Sequence, residues 1–325
     1  MQEQESIKSI PSDRLQFFPI MMLAIVMGLS GLTMVYKRVS EILYFPSFIS
    51  ILMMIVTSII FLLILYFYAL KLIKHKNEVK KEFSHPVRIN FFAASSISIL
   101  LLSMIYRHNI DTISQILFII GAILHIFFTF YTIKFWINNN LEMQHSNPAW
   151  FIPIVGNLIV PIAGKGFVSD EILYFYFSIG IFFWIVLFSI ILNRIIFHNQ
   201  FAPKFMPTLF ILIAPPSIGF ISYIKLTGSL DSFAQILFNL GLFFTILVFV
   251  MYKNFINIKF FISWWAFTFP MAAITLATIL MYELSSKWFY GFLAYFLTFI
   301  TTIIVILVAI ETVKHMRKKE ICIME

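Results

Sequence analysis

Of the 325 residues, 61% are apolar and only 12% charged, with a net charge of +8 and a mean hydropathy of +0.94. Soluble domains run at roughly 45–50% apolar and about 25% charged, which excludes a soluble enzyme; disorder is excluded too, since it needs low hydrophobicity. This is the composition of a polytopic membrane protein, long enough for about ten helical spans of roughly 20 residues each and little else.

Residues 1–16 mix Glu3, Glu5 and Asp13 with Lys8 and Arg14, a poor n-region for a cleaved signal. They are expected to form a tail ahead of a membrane domain at 17–310, with a second tail at 311–325. Apolar runs follow at about 17–36, 46–70, 89–106, 112–136, 149–164, 171–197, 205–226, 232–252, 261–282 and 288–310, the fifth short and broken by proline. Runs such as FLLILYFYAL and TTIIVILVAI do not alternate as the strands of a membrane barrel would. The expected fold class is therefore all-α, with ten transmembrane helices. Of the 23 lysines and arginines, 17 fall on the side of the termini and 6 on the other. By the positive-inside bias both termini are expected in the cytoplasm and the protein in the inner, or plasma, membrane. The basic stretch KLIKHKNEVKKEF then lies on anionic lipid. These loops account for the positive charge, so no nucleic-acid partner is expected. The single cysteine, Cys322, cannot form an intramolecular disulfide.

Seven of the twelve prolines lie inside spans, and all seven (Pro19, Pro153, Pro161, Pro207, Pro215, Pro216 and Pro270) fall on odd-numbered ones. A proline inside a helix removes a backbone bond and kinks the rod, and in a membrane the freed carbonyl must find a neighbour or a water-lined cavity. The odd spans are therefore expected to be inner, kinked and water-facing, and the even ones outer, straighter and lipid-facing: five hairpins around a central pore. Small and polar residues supply further pore-lining candidates. Ala24, Gly28 and Gly31 share a face of the first span, Ser95 and Ser98 lie on the third, Asn157 with Pro161 on the fifth, and Thr268 and Thr275 share a face of the ninth. Such a stripe is either a pore wall or a helix-packing face. Pro215 and Pro216 in the seventh span and Pro270, Ala272 and Ala273 in the ninth complete the set.

Ionisable residues are scarce. Lys134, Arg194, Lys225, Lys259 and Glu283 sit near span ends, where snorkelling explains them. His125, near the centre of an even span, is read as neutral and bonded to a neighbour, with a proton relay as the alternative. No metal-ligand spacing, phosphate loop or nucleophile elbow occurs, so no metal, cofactor or catalytic residue is expected. A pathway without buried cations can still favour anions through exposed amide N–H groups and helix ends, bound weakly enough to leave quickly.

Several segments carry a family resemblance. FSHPVRINFFA at the start of the third span, WWAFTFPMAAITLAT in the ninth, NPAWFIPIVGN in the fifth, APPSIGFISY in the seventh and FFPIMMLAIVMGLSGL in the first match in place and order. Over about residues 15 to 310 the chain resembles the bacterial tellurite-resistance TehA proteins and the plant guard-cell slow anion channels, a family that includes dicarboxylate permeases and sulfite exporters. The resemblance implies a quasi-five-fold ring of inner helices, a homotrimer with a pore in each subunit, and a gate at the phenylalanine that is Phe269 here. Ala24 stands where relatives carry a tight-packing glycine. Phe269 shares a helical stripe with Ala272, Ala273 and Leu276, which leaves a ring room to swing. The leading expectation is a passive channel for small monovalent inorganic anions such as chloride or nitrate. The alternative is a carrier or exporter of oxyanions or C4-dicarboxylates (tellurite, sulfite, malate), proton-coupled or not; a scaffold or enzyme comes last.

Overall fold

The computed structural model describes residues 14–43 and 45–323, so most of the expected N-terminal tail and the last two residues lie outside it. The described chain is almost wholly helical: α1 (Leu23–Ile42), α2 (Phe48–Lys74), α3 (Lys76–Phe83), α4 (Ala93–Tyr106), α5 (Asp111–Asn138), α6 (Ile152–Gly164), α7 (Asp170–Phe197), α8 (Ala214–Thr227), α9 (Ser232–Val250), α10 (Lys253–Ile256), α11 (Thr268–Ser285) and α12 (Trp288–Arg317). Among the described residues nine helices are long and apolar enough to cross a membrane, and the expected fifth span is a shorter apolar helix, Pro148–Gly164. The basic stretch after the second span contains a helix of its own, α3. The last helix continues to Arg317, past residue 310.

Burial separates two layers. Of the most apolar 18-residue stretch, 72% to 78% is buried in the four long odd spans, against 17% to 39% in the even ones. The even spans α2, α5, α7, α9 and α12 are unbroken α-helices whose exposed faces are Leu, Ile, Phe and Val. Each odd span instead opens with a 3-10 segment that passes into α-helix. These segments are Ile20–Met22 before α1, Arg88–Phe92 before α4, Pro148–Phe151 before α6, Pro203–Ile213 before α8 and Ile262–Phe267 before α11.

The prolines mark these junctions more than they kink helix interiors. Pro153, Pro215 and Pro216 occupy the first turn of an α-helix, where the missing N–H would have no helical partner anyway. Pro270 is third in α11, and Pro19 precedes the first 3-10 turn, accepting from the Met22 N–H at 3.1 Å. Among the described residues only Pro161 and Pro207 lie beyond the first turn of a helical element. The third span makes the same transition without an internal proline; there Asn90 Nδ2 donates to the carbonyls of Val87 and Pro86.

Beneath the 3-10 ends, a buried ion pair fixes the start of the first inner helix. Lys71 Nζ of α2 lies 2.8 Å from Glu82 Oε2 of α3, with both side chains almost fully buried. Lys71 also donates to the Phe18 carbonyl, Glu82 Oε1 accepts from the Ile20 N–H, and Tyr68 donates to Glu82. Arg14 donates to the carbonyls of Lys319 and Ile321, so the two ends of the described chain meet on one face. A buried charge stripped of its partner costs about 3–5 kcal/mol, whereas replacing both partners with apolar groups is near neutral. Glu82→Leu is therefore expected to lower the unfolding midpoint in detergent steeply, and Lys71→Met/Glu82→Leu to recover most of it; an unshifted single variant would refute this role for the pair.

Candidate functional site

The inner spans enclose two cavities on one axis, with Ile159 of α6 lining both. The cavity towards the 3-10 ends is narrow, about 50 Å3, and receives side chains from all five odd spans, among them Ala24, Phe91, Phe151, Ile211, Phe269 and Pro270. Its two hydroxyls are committed to backbone: Thr208 donates to the Phe205 carbonyl and Ser263 to the Lys204 carbonyl. An ion there would meet almost only hydrocarbon. Towards the helix C-terminal ends the passage widens to a vestibule of about 490 Å3.

The vestibule wall carries charge. Lys37, Arg38 and Glu41 come from α1, Arg107 and His108 from the end of α4, Lys225 from α8 and Glu283 from α11. Most of these groups clasp neighbouring helices. Lys37 Nζ donates to the carbonyls of Ile105 and Arg107 at 3.2 and 2.6 Å. The Arg107 guanidinium reaches the carbonyls of Ala163 at 3.0 Å and Lys165 at 2.5 Å. Arg38 bridges Glu41 and Glu283, each at 2.5 Å. Lysine and arginine thus sit at the negative ends of inner-helix dipoles.

Residues 17–313 match the family model SLAC1, described as a voltage-dependent anion channel. The chain belongs to that family. It is 26% identical over 329 residues to the S-type anion channel SLAH3 of Arabidopsis thaliana, covering 97% of this chain and 51% of that protein. It is also 26% identical over 322 residues to an uncharacterized transporter of Methanocaldococcus jannaschii, covering 89% and 93%. A tellurite resistance protein TehA homolog of Haemophilus influenzae matches at 26% over 268 residues, 80% of each chain. The chain spans about half the length of the plant relatives it matches first. SLAC1 relatives are anion channels and transporters rather than enzymes, and this member is an integral membrane protein.

Of the pore-lining candidates, Ala24, Phe269 and Pro270 line the narrow cavity. The others line neither cavity. Gly28 and Gly31 press α1 onto α11: a Cβ at Gly28 would lie 2.1 Å from Thr268 Oγ1, and one at Gly31 would lie 2.7 Å from Ala272 Cβ and 3.5 Å from the Phe269 ring. Gly31 thus meets Ala272 closely, with the Phe269 ring beside it. Thr268 bonds to the Trp265 carbonyl. Thr275 turns outward, bonding the Met271 carbonyl and pairing with Thr301 of α12 at 2.9 Å. Ser95 bonds back to Phe92, and Ser98 to Ala94 beside Leu23 of α1. Asn157 faces α5, donating to Thr129. Pro161, Pro215, Pro216, Ala272 and Ala273 are buried. His125 also faces neither cavity: Nδ1 meets Ser96 Oγ of α4 at 2.8 Å, and the ring lies against Gly156 of α6.

Two expectations need correction. Lys225 and Glu283 face the vestibule instead of snorkelling to headgroups, and the pathway is not free of cations. Lys37, Arg38 and Arg107 were visible in the sequence only as loop charges, and nothing in a linear pattern marks five helix ends as neighbours.

With Cys322→Ser as background, Leu280→Cys is expected to react with a soluble thiol reagent and Thr275→Cys not to; equal rates would contradict this facing. Gly28→Ala should cost about 1–3 kcal/mol by overpacking, read as a lower thermal midpoint; an unchanged midpoint would mean that α1 and α11 can part without loss.

Proposed function

We propose that the protein is an anion-selective channel that passes small monovalent anions such as chloride or nitrate, held shut by Phe269. The observation that carries this reading is the shape and chemistry of the passage: a wide, cation-lined vestibule leading to a narrow apolar cavity where the Phe269 ring, only 7% exposed, lies between α1 and the axis. An apolar constriction strips water from an ion and offers nothing in return, at a cost of many kcal/mol, so one ring suffices to hold a pore closed. Plant relatives named as S-type anion channels support the class of cargo. Each chain encloses its own passage, which fits a homotrimer with one pore per subunit. The 17-to-6 charge split supports cytoplasmic termini in an inner or plasma membrane, and the Arg14–Lys319 contact puts both ends of the described residues on one side.

The relative named for tellurite resistance keeps a second reading in play, an exporter of oxyanions or C4-dicarboxylates. A proton-coupled carrier needs a titratable group on its path. His125 lies between α4, α5 and α6, and the vestibule carboxylates Glu41 and Glu283 are both tied to Arg38, which leaves His108 at the vestibule mouth as the titratable group such a carrier would use.

Phe269→Ala is expected to raise anion current in planar bilayers at least about tenfold, which a barrier change of only ~1.4 kcal/mol produces. A folded variant with unchanged current would remove the gate assignment. Flux in proteoliposomes that appears only with a proton gradient would replace the channel with the carrier. An active periplasm-only reporter fused after the final residue would overturn the topology.

A further inference from the structure

We infer that Lys225 is the anion-capture residue of the vestibule, holding small hydrated anions weakly at its ammonium before they reach the gate. The inference rests on the channel reading for its role but not for its chemistry. Four cations line this cavity, and three are already engaged. Lys37 and Arg107 are bonded to the closing carbonyls of α4 and α6, whose partial negative charge offsets theirs. Arg38 is matched by two carboxylates. Among the described residues Lys225 has no hydrogen bond or ion pair, and it is exposed to the cavity.

Helix capping does not account for it. α8 ends at Gly228 in the left-handed conformation, with the Gly228 N–H bonded to the Ile224 carbonyl at 2.8 Å, so the backbone closes the helix without the lysine. Along α8 the cavity-lining positions continue as Ile221 and Ile218, one and about two turns deeper, leading towards Ile159 and the narrow cavity. A charge at the top of an apolar groove has its field focused by the low-dielectric walls. An ammonium is a compact point charge on a flexible stem, without the rigid fork that recognises carboxylates in two-point fashion. It therefore suits small anions of any shape, held loosely enough to leave, and not selective retention of a dicarboxylate.

The potential at this site can be read without any current. In full-length protein carrying Cys322→Ser and Ile221→Cys, reaction rates are measured with an anionic and a cationic methanethiosulfonate reagent. The anionic-to-cationic ratio is expected to fall about fivefold on adding Lys225→Gln, to be kept by Lys225→Arg, and to lose its dependence on residue 225 in about 1 M salt, where screening acts within ~3 Å. A ratio that ignores Lys225→Gln, or that falls equally with Lys225→Arg, overturns the inference whatever the current does. A ratio that responds as expected while the Phe269→Ala protein passes no anion current leaves the capture site standing and removes the channel reading instead.

Discussion

Hydrocarbon offers no partner to a free backbone N–H or C=O, and the architecture depends on that constraint. Irregular backbone survives at membrane depth only where protein or enclosed water surrounds it. Five unbroken α-helices form the outer layer and meet lipid with apolar side chains. That shield is what allows five inner spans to open as 3-10 helix and change pitch midway. A 3-10 turn is tighter and its side chains eclipse, so the inner ring is narrow where it is 3-10 and wider where it is α. The apolar cavity of about 50 Å3 and the vestibule of about 490 Å3 lie at these two ends.

The layer assignment could be read in advance because proline is chemically conspicuous: it cannot donate, and it gathers on the odd spans. The 3-10 openings could not, because proline accompanies them without being required. Pro153, Pro215 and Pro216 begin α-helices, while Arg88–Phe92 forms its 3-10 turn with Asn90 bonding the backbone. Serine and threonine misled for a different reason. In a dry interior a hydroxyl turns back to a carbonyl of its own helix, as Ser98 does to Ala94, Thr275 to Met271, Thr245 to Gly241 and Thr298 to Ala294. Once so bonded, it is as much at home against a neighbouring helix as beside a pore, and its spacing says nothing about which. Glycine marked contact instead: Gly28, Gly31 and Gly156 each admit a side chain from another helix.

His125 shows how a central polar group can serve the ring without touching the passage. Its ring fills the space that Gly156 leaves open and meets Ser96, so a polar contact between α4 and α5 is buried against α6. Thr129, one turn on, bonds the His125 and Pro153 carbonyls and accepts from Asn157. The seam secures the outer helix of the second hairpin to the start of α6, where Pro153 removes a donor. The same function is performed at the first inner helix by the buried pair of Lys71 and Glu82, which holds the Phe18 carbonyl and the Ile20 N–H. In both places side chains from an outer helix or the segment after it bond backbone groups at the start of an inner span.

At the wide end the accounting is electrostatic. The inner helices end around one cavity, and their terminal carbonyls would crowd partial negative charge into a space meant for water. Lys37 and Arg107 answer this directly, each reaching from one inner helix to the closing carbonyls of the next, so that charge compensation and ring closure are the same bonds. Arg38 and Glu283 close the ring between α1 and α11 by a salt bridge instead, and this is the helix pair that carries Gly31 and Phe269 further along. A bridge with both groups more than a third exposed contributes little stability. Its effect is positional: it sets the spacing of α1 and α11 at one end, while the glycine contacts set it at the other. The spacing of α1 and α11 is therefore held both at the vestibule end and beside Phe269, where Gly28 meets Thr268 and Gly31 meets Ala272.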